Sequence, residues 1–238
     1  MKSIHLAPAV LLLASSVATA ADLDSINALS QSEFRHLAEN LGAATAYKSV
    51  SPAEPLGTLG FDLSVSVSAT EIDENVFEIA NGASNWDMSM LPVPRLQAQK
   101  GLPFNIDIGA SYTAVPQINA NLIGGEVKWA FLEGGIASPA AAIRLSYSKL
   151  SGIDQVEVKN TGVDVSVSKG FAMLTPYAGI GRVHSESTPH NIPVLKSEKV
   201  DDTRVFAGLN INLGINLGLE MDRYAGLTTY TLKAGVRF

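Results

Sequence analysis

Apolar and polar side chains alternate along most of this chain with a period of two. Leu59, Phe61, Leu63, Val65, Val67 and Ala69 are interleaved with Gly60, Asp62, Ser64, Ser66 and Ser68. Successive side chains of a strand point to opposite faces, so such a segment is a strand with one apolar and one polar face. The pattern returns at Phe104, Ile106, Ile108, Ala110 and Tyr112, and at Ile123, Val127, Trp129 and Phe131 against Glu126 and Lys128. It returns again at Ile143, Leu145 and Tyr147 against Arg144 and Ser146, and at Val163, Val165 and Val167 against Asp164, Ser166 and Ser168. Val205, Ala207, Leu209 and Ile211 oppose Arg204, Asn210 and Asn212; Leu217, Leu219 and Met221 oppose Asn216, Glu220 and Asp222. Tyr230, Leu232, Ala234, Val236 and Phe238 close the chain against Thr231, Lys233 and Arg237.

A soluble sandwich or barrel also alternates. Three features favour a membrane barrel instead. Many of these runs reach about ten residues, the length that crosses a bilayer at a tilt, against the usual five or six of soluble strands. Their polar face is mostly Ser, Gly, Thr and Asn with scattered charges, which suits a crowded lumen. Aromatic residues stand at the ends of apolar faces, Phe104 with Tyr112 and Tyr230 with Phe238, as in the girdles of such barrels.

The expected fold is therefore all-β: an antiparallel transmembrane β-barrel with a short N-terminal amphipathic helix. Strands are placed near 57–70, 91–100, 104–115, 121–132, 139–149, 156–170, 172–185, 202–213, 214–223 and 227–238. That makes ten, with eight and twelve as the neighbouring even counts. The long connections 71–90 and 186–201 then face outward from the cell, and the tight turns at Lys100-Gly101-Leu102-Pro103, Lys169-Gly170 and Leu213-Gly214 face the periplasm. The alternation slips between Val158 and Val163, which predicts a bulge or break at Asn160, Thr161 and Gly162.

Ahead of the barrel, Ser30-Gln31-Ser32-Glu33 fits a capping box, Phe34, Leu37, Ala38 and Leu41 share one helical face, and Gly42 fits the position just past a helix end. A helix over 31–41 follows, then an extended stretch over 43–50. Adding that stretch to the wall would break strand parity, so residues 21–56 are read as a plug in or beneath the lumen, the alternative being a helix at the periplasmic surface. Glu33, Arg35 and Glu39 are available to pair with lumen charges. Residues 1–20 read as a cleavable export signal: Met1-Lys2, an apolar run over 6–17, and the small-residue site Ala18-Thr19-Ala20. The domain plan is thus 1–20 signal, 21–56 plug and 57–238 barrel.

Composition sharpens this picture. Of 238 residues, 46% are hydrophobic and 17% charged, with no Cys. The charged share is well below the roughly 25% of soluble domains. Without Cys there is no disulfide framework, thiol nucleophile or thiolate metal site. The net charge of -6 argues against nucleic acid as a partner.

The expected lumen carries Asp62, Asp107, Glu126, Asp164 and Glu220 against Lys128, Arg144, Arg182, Arg204, Lys233 and Arg237. A strongly ion-selective pore favours one sign, so this balance reads first as mutual pairing in a narrow lumen and second as a polar ligand path. Arg182, His184 and Glu186 alternate near the outer rim beside Ser185 and Ser187, but alternation puts Ser185 on the face opposite His184, which weakens a nucleophile–base reading. No enzyme activity, cofactor or metal is expected. Gly124-Gly125 and Gly179-Ile180-Gly181 lie in strands, where glycine relieves crowding rather than cradling phosphate. Asn85-Trp86 in the first long loop is a candidate contact for lipopolysaccharide or ligand, or an interfacial anchor.

The ending Tyr230-Thr231-Leu232-Lys233-Ala234-Gly235-Val236-Arg237-Phe238 resembles the C-terminal insertion signal of Gram-negative outer-membrane barrels, with Tyr230, Leu232, Ala234, Val236 and Phe238 as its alternating positions. The wider chain, including Pro52-Ala53-Glu54-Pro55-Leu56-Gly57 and Thr175-Pro176-Tyr177-Ala178-Gly179, is similar to uncharacterised barrels of that membrane. The resemblance implies the cell outer membrane, its lipid and lipopolysaccharide, and the barrel assembly machinery and periplasmic chaperones as partners. It implies no activity. The leading functional expectation is a narrow or gated channel for small solutes, hydrophobic ones included; the alternative is a closed structural or surface-interaction barrel.

Overall fold

The computed structural model describes residues 23, 25–82, 89–115 and 119–238. The export-signal reading and Asn85-Trp86 lie outside them. Ten strands form one closed antiparallel barrel: β1 (Phe61–Glu71), β2 (Met90–Leu102), β3 (Ile106–Val115), β4 (Ala120–Glu133), β5 (Ala140–Ser151), β6 (Val156–Ser168), β7 (Leu174–Pro189), β8 (Glu198–Asn212), β9 (Asn216–Tyr224) and β10 (Leu227–Arg237). Each strand pairs with its sequence neighbours, and β1 closes on β10 with Val65 opposite Ala234. At the lower end, where β1 begins and β10 finishes, Phe61 and Phe238 exchange backbone hydrogen bonds of 2.9 and 3.0 Å and their rings meet at 4.9 Å. Turns at this end are short; the connections 72–89 and 190–197 lie at the upper end.

The exterior is an apolar band. Leu63, Leu96, Ile108, Val127, Leu145, Val165 and Leu232 all point outward and are about half exposed, a surface that a soluble monomer would not leave uncovered. Its lower margin carries the exposed Phe61, Phe104, Trp129, Phe131, Phe171 and Phe238, its upper margin Tyr112, Tyr147 and Tyr230. Paired aromatic margins around an apolar belt match a bilayer-spanning barrel. The insertion-signal positions Tyr230, Leu232, Ala234, Val236 and Phe238 all lie on this outward face.

Several expectations need correction. Strand β6 runs through residues 160–162 without a break, in continuous register with β5 and β7. What slips is the chemistry of the interior: Val156 and Val158 face inward with Asn160 and Asp164, because the upper lumen is apolar and the rest polar. The register shift falls instead between Trp129 and Leu132 on β4. The hairpin of β7 and β8 also rises further than expected, so the connection between them shrinks to 190–197.

Two α-helices complete the fold among the described residues. Helix α1 (Gln31–Thr45) starts in the expected capping box: Ser30 Oγ accepts from the Glu33 amide at 3.3 Å, and Glu33 accepts from the Ser30 amide at 2.7 Å. Ser30, through its side chain and then its backbone, holds the Glu33 carboxyl below the ordinary range. The helix continues past Gly42, which does not end it. A Cβ there would lie 2.6 Å from Ser185 Oγ on the wall, so glycine serves close approach. Helix α2 (Glu74–Asn81), in the 72–89 connection, has Asp73 as its N-cap and Gly82 in left-handed conformation behind it.

Candidate functional site

The lumen is occupied by the chain's own N-terminal segment, threaded from top to bottom. At the upper mouth, the Gln31 amide donates to the Lys196 carbonyl and to Glu198, and Arg35 pairs with Glu198 at 3.3 Å. Glu33 and Glu39 stay within the helix rather than reaching the wall, Glu33 in its cap and Glu39 against Arg35 at 3.4 Å. Deeper, Thr45 meets Ser148 and Asn160. Residues 46–56 then descend in extended form, and Leu56 at the lower end donates its amide to Asp107 at 3.1 Å. Gly57 and Gly60 turn the chain into β1.

Two chemistries line this passage. In its upper third the inward positions of β2 to β6 are apolar: Leu91, Val115, Leu122, Leu150, Val156 and Val158 pack on Phe34, Leu37 and Leu41 of α1, with α2 laid over them through Val76 and Phe77. Below, an extended segment with no strand partner must satisfy its buried carbonyls by other means. Long wall side chains do so. Arg95 donates to the carbonyls of Ala44 and Ala46, Arg204 to Tyr47, Gln97 to Lys48, and Lys128 to Pro52 and Glu54 at 2.9 and 3.0 Å. Small residues make the room: Tyr47 lies over Gly124, where a Cβ would stand 2.7 Å from the ring, and Ala53 sits among Ala130, Ala140 and Ala142.

The charges are paired almost throughout. Asp62 meets Lys233 at 2.8 Å, Asp107 meets Lys128 at 3.0 Å, and Arg144 meets Glu126 at 3.1 Å and Asp164 at 3.9 Å. Arg204 joins Glu220 at 2.9 Å and Asp222 at 3.1 Å, and Lys48 of the plug completes this group on Asp222 at 2.7 Å. Tyr177 donates to Glu220 at 2.9 Å, and the Phe206 ring lies between Arg204 and Arg144, 5.0 and 6.0 Å from their guanidinium carbons. Arg237, half-buried, occupies the inward phase opposite Asp62.

Ten of the eleven expected lumen charges therefore face inward. Arg182 does not. The inward positions of β7 are Tyr177, Gly179, Val183 and Ser185, so Ile180, Arg182, His184 and Glu186 point outward. This sixteen-residue strand rises above the apolar band, where outward side chains meet polar surroundings, and there His184 pairs with Asp201 at 2.8 Å and Glu186 with Lys199 at 3.3 Å. Ser185 and Ser187 are buried on the opposite, luminal side. Sequence reading missed Lys48, Arg95 and Gln97. The phase of β2 was legible from Gln97 and Gln99 alternating with Leu96 and Ala98, but Pro92 and Pro94 obscure it.

Comparison with known proteins adds the family. No curated protein matches the chain. Among solved structures it is similar to the N-terminal β-barrel domain of Pseudomonas aeruginosa OprF (17% identity, TM-score 0.37, covering 74% of this chain and 97% of that one). It is also similar to Ail of Yersinia pestis, solved with the heparin analogue sucrose octasulfate (13%, 0.34, 75% and 98%), and to Neisserial surface protein A (10%, 0.35, 74% and 95%). Residues 58–220, from the turn before β1 into β9, match a family of unknown function, DUF6588. With well over half its length matched, the chain belongs to that family.

Proposed function

We propose that this protein is an exported outer-membrane barrel, closed at rest, that forms a narrow channel gated by its own residues 46–56, with α1 seated above them. The upper end, with the long connections, is then the cell exterior, in line with short periplasmic turns and longer outer loops in bacterial barrels. One observation carries the gate: below Thr45 the plug is held by hydrogen bonds from polar wall side chains to its backbone, and water can take the place of either partner. The wall beneath is hydrophilic down to Asp107 and needs no plug to stay solvated. Val50 adds to this, since it is buried at φ 48. A β-branched residue there costs about 1–3 kcal/mol, strain that is released if the segment rearranges.

The upper third favours the second reading, a closed structural barrel. Phe34, Leu37 and Leu41 are buried against apolar wall, at about 1.5–3 kcal/mol each. Withdrawing the whole helix would expose them and their sockets, so a gate that works must leave α1 seated and move the extended part.

A cross-link decides between the two. With no native Cys, Gly42→Cys with Ser185→Cys places one bridge between α1 and β7, where the Cβ atoms would stand 3.0 Å apart, slightly inside the usual disulfide separation of about 3.8 Å. A second bridge, Val50→Cys with Gly218→Cys, fixes the extended part, where a Cβ on Gly218 would stand 2.8 Å from Val50 Cγ1. In planar bilayers the wild type should open intermittently. The first bridge should leave openings unchanged, and the second should abolish them until reductant is added. A wild type that never conducts would establish the closed barrel instead, and openings that survive the second bridge would refute the gate.

A further inference from the structure

The two chemistries of the lumen leave one space unfilled. Between α1 and the upper inward faces of β2 to β5 lies a partly enclosed cavity of about 60 Å³. Leu41 forms its inner side, Val115, Leu122 and Leu150 its wall, and Leu23 with Phe77 of α2 its outer margin. Two hydroxyls border it, and both are committed elsewhere: Thr45 Oγ1 donates to the Leu41 carbonyl at 2.6 Å and Thr113 Oγ1 to the Pro94 carbonyl. The surface left to the cavity is aliphatic and aromatic carbon. Such a space offers water no partners and stays dry, while an apolar guest gains the dispersion contacts that the empty walls lack.

We infer that this cavity is a binding site for a small, unbranched hydrocarbon or the aliphatic end of a larger molecule. An engineered apolar cavity of about 150 Å³ takes up benzene, so the smaller space here selects a narrower guest. The site is built rather than incidental. Its wall is apolar only at the top of the lumen, and its outer margin is held by specific bonds: the Asn40 side chain accepts from the Asp73 amide at 2.8 Å, tying α1 to the start of α2, and the Ser25 amide donates to the Ala80 carbonyl at 2.8 Å. A longer guest enters by lifting α2, an eight-residue element between the wall and the chain ahead of α1. This inference deepens the channel reading, on which it rests, by naming the solute class, and it puts the guest beside α1.

The test is binding, not passage. Full-length protein refolded in deuterated detergent, with 13C-labelled Leu and Val methyls, is titrated with ethane and then propane. Methyls of Leu41, Val115, Leu122 and Leu150 should shift along saturating curves, while the outward Leu63, Val127 and Val165 move in proportion to concentration, as any lipid-facing group does. Ala120→Leu, which adds three carbons at the wall of the cavity, should weaken the saturable shifts at least tenfold with the outward shifts unchanged. Inward methyls that stay still, or that follow the outward ones without saturating, overturn the site on the wild-type data alone. Saturable binding in a barrel that never conducts would sustain the site and remove the channel, so the two failures are distinguishable.

Discussion

Replacing Asp222 by Asn should damage the protein far more than replacing its partner Lys48 by Met. The asymmetry follows from the contacts each partner keeps. Asp222 is shared: Lys48 approaches at 2.7 and 2.9 Å and Arg204 Nε at 3.1 Å. In Lys48→Met the carboxylate keeps Arg204, the sulfur-containing chain fills most of the ammonium's space, and the Lys48 carbonyl still accepts from Gln97. In Asp222→Asn, Arg204 keeps Glu220 and the Tyr47 carbonyl, but the fully buried ammonium of Lys48 faces a neutral amide. Stranding one charge of a buried pair costs about 3–5 kcal/mol; Lys48→Met strands none, because Asp222 keeps Arg204.

Urea unfolding of the barrel in lipid vesicles, followed by tryptophan fluorescence, should therefore place Asp222→Asn about 3–5 kcal/mol below wild type and Lys48→Met within about 1.5 kcal/mol. The double variant should recover most of the loss, because no charge is then stranded. Hydrogen exchange should locate the effect: amides 46–50 should open in Asp222→Asn while those of β1 and β10 stay protected. If the two single variants lie within about 1 kcal/mol of each other, or if the double variant sums the two losses, then Arg204 does not sustain Asp222 and the account of the luminal network is wrong.

Two further outcomes follow from the same geometry. Phe238→Asp removes a ring stacked on Phe61 at the closing seam, so the level of folded, heat-modifiable barrel should fall severalfold while export continues, and normal assembly in a strain lacking periplasmic proteases would refute that role. Cys at the exposed Asn27 should be labelled on whole cells by an impermeant maleimide, and Cys at the exposed Thr58 only after the outer membrane is permeabilised; the reverse pattern would invert the proposed orientation.

The wall was legible because lipid and lumen impose a strict alternation on each strand, and a one-residue error would turn every side chain to the wrong side. That rule identified ten inward charges, Asp62 through Arg237, without knowledge of their partners. It failed at Arg182, which stands on the outward face of β7 paired with Val163 and Thr203. Charge alone does not mark the inside, and the phase set by Tyr177 and Val183 puts position 182 outside. Val156 and Val158 show the converse: apolar residues face the lumen where a helix stands against them. Helix α2 carried its signal openly in Asp73 and Gly82 but was passed over inside a connection expected to be irregular. Residues 46–56 were legible only as part of an extended plug in or beneath the lumen, because an extended chain whose bonds go to side chains of distant strands has no periodicity of its own to fix its path.

That missing periodicity bears on function. A plug built as an eleventh strand or a longer helix would satisfy its own backbone and would be indifferent to the wall. Here the lower plug depends on Arg95, Gln97, Lys128 and Arg204 for its carbonyl partners, and those side chains in turn have anions or water to turn to when it moves. The upper plug depends on apolar packing, for which water is no substitute. The same segment is thus fixed at the top and exchangeable below, and the unfilled apolar space lies at the top, beside α1. A solute that enters there displaces nothing polar, and its arrival beside Thr45 meets the point at which helix gives way to hydrogen-bonded chain. If passage occurs, the step that limits it is the loosening of residues 46–56, and variants of Arg95 or Gln97 should alter opening frequency while leaving hydrocarbon affinity unchanged.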